Sequence, residues 1–381
     1  MVVVLDQSKQ RILPARRAGL IVRGTTRPGS QDVVSSRSTM GSISHERKEK
    51  GHERQRELVD RILVEADKLS GDKRAIYLFV ADKLLACSNV ALPSVNPSVK
   101  KISDYRYIGG MCHCGKSICP LCLPYQDALR AEKLKKQAEQ VVKLGLRHYL
   151  FTSTIRHHYG AEFRVLVDAE RAVWRQMIGS RFWKKAVEGF AWKLEPGFSS
   201  ANGHHPHKHC IVTLKAGVDD LAFSEKVRSF WEDRLKKLGR SCDWKEGWWV
   251  EIPGTNDVDR MIGYICKSIR EVTGTSHKHN APWLLPVDAY VEVFTTSRNV
   301  RWFGVGGCWR TKETQKCEKE EILEQERGKD DEVLVTIPAQ VWKEMTFAQK
   351  FAVKDVVYDR EIDDAACVEV VKFLIDEVMN C

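Results

Sequence analysis

The stretch Asn202-Gly203-His204-His205-Pro206-His207-Lys208-His209-Cys210-Ile211-Val212-Thr213-Leu214 decides how the chain is read. An Asn-Gly pair ahead of β-branched and aliphatic residues reads as a turn running into a strand. Side chains on a strand alternate between its faces. His205, His207 and His209 therefore share one face, and His204, Lys208, Cys210 and Val212 take the other. Imidazoles two residues apart on one face can hold a divalent ion together, each offering a ring nitrogen at about 2 Å. The plainer alternative is a solvent-exposed histidine tract; the strand context favours the metal reading.

The flanking sequence supplies partners for this strand. Upstream, Tyr149–Ile155 reads as a strand, helical sequence runs from Phe163 to Val187, and Gly189–Glu195 is a second strand. Downstream, Ser224–Leu238 reads as a helix with Ser224 as N-cap, and Trp248–Ile252 as a fourth strand. The order β-α-β-β-α-β predicts an α+β fold, a split βαβ arrangement (ferredoxin-like) with an antiparallel sheet and helices on one face. A further helix is predicted from Asp257 to Glu271, with Val258, Met261, Ile262, Ile265 and Ile269 apolar. Tyr264 and Lys267 sit three apart on it and so share part of one face. Val291–Phe294 and Arg301–Val305 read as short strands.

A cysteine cluster precedes this block: Cys112-His113-Cys114-Gly115-Lys116-Ser117-Ile118-Cys119-Pro120-Leu121-Cys122. The pairs C-x-C and C-x-x-C can supply four thiolates to a tetrahedral Zn²⁺, and Gly115 permits a tight turn between them. His113 is an alternative ligand in place of Cys112 or Cys114. A basic helix follows from Gln126 to Leu144. Before the cluster, Glu53–Leu69 is helical, and a second helix carries Ile76, Phe79, Val80 and Leu84 on its apolar side. Leu92–Val99, with two prolines, reads as a linker. Residues 1–50, rich in Arg, Ser, Gly and Thr, read as a disordered basic arm. Beyond Arg310 the chain turns acidic, from Glu318 to Glu332, and then helical.

Composition sets the outer bounds. The 381 residues suffice for two or three domains. A net charge of +10 suggests a polyanionic partner. There is no apolar run long enough for a signal peptide or a bilayer span, which leads us to expect a cytoplasmic protein without membrane contact. In that compartment twelve cysteines argue for metal ligands and buried thiols over disulfides. The Walker pattern is absent, so nothing suggests ATP use.

Three motifs in one order resemble the rolling-circle plasmid replication initiators of the HUH endonuclease superfamily. Phe151-Thr152-Ser153-Thr154 resembles the first-motif strand. His205-Pro206-His207-Lys208-His209-Cys210-Ile211-Val212 resembles the second, whose His-x-His pair binds metal and maps to His207 and His209. Tyr264-Ile265-Cys266-Lys267 resembles the third, Tyr-x-x-Lys on a helix, which carries the nucleophile. The likeness covers roughly Cys112 to Gly307, and the segment ending at Glu195 resembles one whose carboxylate can complete the metal site. It implies domains at 101–145 (zinc knuckle and basic helix) and 146–310 (catalytic), flanked by a helical segment at 51–100 and an acidic, partly helical region at 311–381.

The resemblance further implies metal ligation by His207, His209 and Glu195, with His205 a further candidate, and Mg²⁺ or Mn²⁺ as the ion. Structural Zn²⁺ would sit on Cys112, Cys114, Cys119 and Cys122. Tyr264 would attack a backbone phosphate of single-stranded origin DNA, leaving a 5′-phosphotyrosine and a 3′-OH primer, with Lys267 supporting it. Arg156, Arg181 and Lys184 are candidate DNA contacts, with His157 and Trp183 beside them, and a host helicase and polymerase are candidate partners. Two departures stand out. Lys208 occupies a position that is usually apolar, which predicts a less buried far side. Arg260 occupies a position where a Glu often activates water at termination. A single-tyrosine transposase or relaxase shares this chemistry, and a non-catalytic zinc-containing DNA-binding regulator is the alternative of a different class.

Overall fold

The computed structural model describes residues 36–102, 105–242, 244, 248–252, 255–267, 281–315 and 331–380. Residues 1–35 of the basic arm, the acidic stretch across 316–330 and residues 268–271 of the expected tyrosine helix lie outside the described residues, while Cys266 and Lys267 form a turn and not the expected helix. In chain order the elements are α1 (Ser36–Ala66), α2 (Gly71–Ala86), β1 (Ser98–Ile102), β2 (Tyr105–Gly109), α3 (Cys122–Val142), β3 (His148–Thr154), α4 (Phe163–Gly179) and α5 (Arg181–Ala186). They continue with β4 (Val187–Ser199), β5 (Gly203–Leu214), α6 (Asp220–Lys237), β6 (Trp249–Ile252), α7 (Thr255–Ile265), a 3₁₀ turn at Pro282–Leu284, α8 (Val287–Thr296) and β7 (Phe303–Gly307). Last come α9 (Lys312–Gln315), β8 (Glu332–Thr336), α10 (Ala339–Glu344), α11 (Phe347–Tyr358) and α12 (Asp364–Met379).

The fold is α+β with antiparallel sheets. The larger sheet has the order β6-β3-β5-β4-β7, with the histidine strand β5 at its centre. Helices cover both of its faces, not one as the sequence reading expects. On one face Phe151, Trp192, Leu194, Cys210 and Val212 pack in a core with Val173 and Trp174 of α4 and Trp231 of α6. On the other, Ala191, Ile211 and Ile252 pack with Leu134 and Val141 of α3 and Val258, Ile262 and Ile265 of α7. The strands are apolar at both parities here, and a second apolar face needs its own cover.

A smaller sheet, β2-β1-β8, joins residues 98–109 to residues 332–336. Val99, Ile108 and Val335 share its core with Trp342, Val353 and Val371 of the three C-terminal helices. Among the described residues no helix is long and apolar enough to cross a membrane.

Several local expectations are corrected. The first helix starts at Ser36, not near Glu53. In α2 the buried side is Tyr77, Val80, Ala81 and Leu84, while Ile76 and Phe79 are exposed. α6 is capped by Asp219, which accepts from the Ala222 amide at 3.0 Å, and Ser224 lies inside the helix. Val291–Phe294 belongs to helix α8, not to a strand. Its apolar run is too short for periodicity to separate the two forms, and Pro286 ahead of it marks a helix start.

Lys208 is the largest surprise on the far side of β5. It is 2% exposed, with its ammonium 4.2 Å from the ring centroids of both Trp174 and Trp192 and 2.7 Å from the equally buried Glu170. Burial pushes the lysine down from its ordinary range, and the Glu170 carboxylate opposes that. A buried pair of this kind is weak evidence for net stability, but removing one partner strands the other charge. Glu170→Ala should therefore lower unfolding free energy by about 3–5 kcal/mol. The double variant Glu170→Leu/Lys208→Met should recover most of it, as read from urea denaturation midpoints.

Candidate functional site

The site begins with a hairpin. Gly203, in the left-handed region at φ +74°, lets β4 turn back into β5 without the strain a Cβ would bring there. The resulting register sets Glu195 opposite His207 and Lys193 opposite His209, and β3 sets Thr154 and Thr152 against the same two histidines. Residues directly opposite on antiparallel strands share a face. Glu195 Oε2 accordingly lies 3.3 Å from His207 Nε2 and 3.8 Å from His209 Nε2. One ligand atom from each residue falls within 4.8 Å of the others.

The second ring nitrogens are already committed. His209 Nδ1 lies 3.0 Å from Thr152 Oγ1, and His207 Nδ1 lies 3.1 Å from the His205 carbonyl, to which it donates. Such contacts fix the ring and turn the other nitrogen toward a common centre. Among the described residues, the buried His209 Nε2 and Glu195 Oε1 have no hydrogen-bond partner. Buried polar atoms left this way are costly unless something else engages them. Two imidazoles and a carboxylate form a donor set suited to a divalent cation.

Electrostatics keep the set in its binding form. Burial pushes His209 down to about 3, although the Glu195 carboxylate pulls the other way. Burial also pushes the Glu195 carboxyl up. The His207 hydrogen bond and the neighbouring His209, His207 and Lys267 outweigh this and hold it well below the usual carboxylate range. A neutral imidazole and an ionised carboxylate are what a metal requires.

Helix α7 brings the tyrosine to this face. Val258, Ile262 and Ile265 are fully buried against the sheet, which leaves Tyr264 half-buried beside the triad. Its ring meets His209 edge-on, with centroids 4.9 Å apart and planes at 70°. Just past the end of α7, Lys267 donates to Glu195 Oε2 at 2.7 Å and holds its ammonium 5.1 Å from the Tyr264 ring centroid. Arg260, which stands where the resemblance often has a Glu, is ion-paired with Asp257 at 3.1 Å.

Other predicted residues fall elsewhere. His205 shares the face of His207 and His209 but stands outside the metal group. It lies one further step along the strand, opposite Gly197, with its ring parallel to those of His207 (5.8 Å) and His157 (5.2 Å). Arg156 is exposed two residues past the end of β3, whose last residue pairs with His207, so it sits at the metal end of the sheet. Arg181 and Lys184 are exposed on α5, which runs into Val187 opposite Leu214. Leu214 is seven residues on from His207, about 23 Å by strand rise, so these two are not gathered at the triad. Trp183 is 2% exposed and packs against Trp174 and Phe190, which removes it as a stacking surface.

The cysteine cluster forms with one change of membership. Cys87, Cys114, Cys119 and Cys122 converge, with Sγ–Sγ distances of 3.5 Å (87–122), 3.6 Å (114–122) and 3.7 Å (87–119). Tetrahedral thiolates at about 2.3 Å from zinc would stand roughly 3.8 Å apart, so these four fit such an ion. Cys112 is not among them; its Sγ points to the Ala91 carbonyl at 3.4 Å. Cys87 terminates α2 and Cys122 begins α3, so packing of two helices assembles the site. The separation of 27 residues between Cys87 and Cys114 carries no local spacing signal. Hydrogen bonds from Cys119, Cys122 and Cys87 hold the Cys114 thiol well below its ordinary range. All four can ionise together only around a cation.

Comparison with family models, curated proteins and solved structures finds no match.

Two outcomes follow from the geometry. Protein purified with zinc should carry one equivalent bound by thiolates, retained in Cys112→Ala and lost in Cys87→Ala, as read by elemental analysis and by a chromogenic chelator. Acid should also weaken the metal-free fold. His209 stays neutral when folded to about pH 3 but takes up a proton near pH 6.5 when unfolded. Stability is then full above that point and falls as pH drops through the window below it, with Glu195 adding to the loss at its acid end. His209→Gln should flatten the upper part of this profile in urea midpoints between pH 7 and 4.

Proposed function

We propose that the chain is a rolling-circle replication initiator of the HUH endonuclease type, nicking origin DNA by tyrosine transesterification. The observation that carries this reading is the edge-on approach of Tyr264 to His209, within a triad of Glu195, His207 and His209. The element order β3-α4-α5-β4-β5-α6-β6, with the triad on two adjacent inner strands, supports the finer reading of the fold as a split βαβ sheet of that superfamily.

In this reading Tyr264 gives up its phenol proton and its Oη bonds to a backbone phosphorus. The P–O3′ bond breaks, and the departing oxygen takes a proton to become the 3′-OH primer. A phenol near pKa 10 needs help to react at neutral pH. Lys267, with its charge beside the ring, favours the phenolate and is itself held by Glu195. Thr152 and the His205 carbonyl keep both imidazoles oriented. A divalent ion on Glu195, His207 and His209 would supply polarisation of the phosphate and neutralise charge on the leaving oxygen. Mixed nitrogen and oxygen ligation suits Mn²⁺, and Mg²⁺ competes by abundance. The phosphotyrosine link conserves the phosphodiester energy, so no nucleotide cofactor is needed. In this reading Arg156 would contact the strand's backbone, and a host polymerase, with a host helicase, would extend the free 3′-OH.

Supercoiled plasmid carrying the cognate origin, incubated with Mn²⁺, should be relaxed by the wild type and retain covalently bound protein. Tyr264→Phe should give no adduct. His207→Ala should reduce nicking at least about a hundredfold while changing DNA affinity little. An adduct mapped to any peptide other than the one holding Tyr264 would overturn the assignment.

A further inference from the structure

Helix α11 carries a charge into the interior. Lys354 is 2% exposed; its Nζ donates to Asn89 Oδ1 at 2.7 Å and meets His52 Nδ1 at 3.4 Å. Among the described residues no carboxylate lies within ion-pair reach of it. Its chain neighbour Asp355 is engaged by Arg56 at 3.0 Å. Burial, with Lys354 beside it, holds the His52 imidazole well below its ordinary range, so that ring offers a lone pair and no charge. A buried ammonium in such surroundings is costly unless an anion stands close by.

The groups around Lys354 form the surroundings of the cysteine cluster. Asn89 lies two residues past Cys87 and is pinned there. Its Nδ2 donates to the Leu85 carbonyl at 2.6 Å, and its own carbonyl accepts from Trp342 Nε1 of α10 at 2.9 Å. Gln55 of α1 donates to the Cys87 carbonyl at 3.0 Å. Burial pushes the Lys354 amine down to about 7, and Cys87, ahead of Asp355, pulls it back up. Four thiolates around one divalent ion leave two negative charges, in a cluster whose Cys87, Cys119 and Cys122 are buried. Those charges need a cation nearby as much as the lysine needs an anion.

We propose that Lys354 is the counter-cation of the cysteine cluster, its buried ammonium balancing the charge that remains when four thiolates hold one divalent ion. Lys354 is a positioning residue for that ion: it ligates nothing and acts through charge, with Asn89 setting where the charge stands. The C-terminal helices thereby take a share in the metal site, α11 through Lys354 and α10 through the hold of Trp342 on Asn89. The inference lies outside the nuclease reading and depends only on the cluster binding a divalent ion.

The test uses the full chain loaded with Zn²⁺ or with Co²⁺. Lys354→Gln keeps a hydrogen-bond donor for Asn89 and removes the charge, while Lys354→Arg keeps the charge. Competition with a chromogenic chelator should show zinc held about 10–100-fold more weakly by Lys354→Gln, and within about threefold of wild type by Lys354→Arg. In the Co²⁺ forms the sulfur-to-metal charge-transfer band should move to longer wavelength in Lys354→Gln, because a thiolate without its neighbouring cation gives up an electron more readily. The visible d–d bands of a tetrahedral sulfur site should stay in place, which also reports that the variant folds. Zinc affinity in Lys354→Gln equal to wild type, or Lys354→Arg as weak as Lys354→Gln, would overturn the proposal. So would a charge-transfer band that does not move, or loss of the d–d bands, which would make the lysine a packing residue. None of these readings involves DNA, so they hold whether or not Tyr264 forms an adduct.

Discussion

The pairing register between β4 and β5 is the constraint on which the site depends. Because side chains alternate, a slip of one residue would carry Glu195 to the opposite face of the sheet from His207 and His209. The register is held from several sides. Gly203 fixes the turn, while Ala191 and Ile211 on one face and Trp192, Leu194, Cys210 and Val212 on the other commit the strands to two buried cores. Lys208, clamped by Glu170 between two tryptophans, adds a polar contact that only one register satisfies. The sheet thereby acts as a ruler for the triad, and α7 needs only to pack its apolar stripe to deliver Tyr264.

The two metal-binding groups are built on different principles. The triad draws its ligands from adjacent strands of one sheet, and its geometry is set by backbone pairing. The cysteine cluster draws them from the end of one helix, the start of another and the loop before it. From Cys122 the same helix α3 continues beneath the larger sheet, where buried Asp127 pairs with Lys193 of β4. Lys193 is two residues from Glu195 and faces the same way. The cluster thus anchors a helix that reaches the strand carrying the triad's carboxylate.

Much of this was legible in the chain. Alternation in the histidine strand sorts His207 and His209 from Lys208, and a separation of three residues puts Lys267 beside Tyr264 even though the lysine lies past the end of α7. Those signals are local and geometric, and they survive whatever the rest of the molecule does. The failures were of long range. Cys87 joins its partners through helix packing, and no motif length records that. Lys208 looked like a departure because a lone lysine gives no notice of a glutamate on another element. Val291–Phe294 has too few residues for its period to be read. His205 was grouped with its neighbours by parity alone, although each two-residue step along a strand moves a side chain nearly 7 Å.

The smaller sheet sets a condition on how the molecule assembles. β1 pairs with β2 on one side and with β8 on the other, and β8 is translated long after both. Until then one margin of the nascent hairpin presents open amide and carbonyl groups, the kind of edge that recruits a stranger's backbone. The ribosome therefore leaves this seam unsewn for most of synthesis, until β8 pairs with β1 and the last helices, translated after it, pack behind.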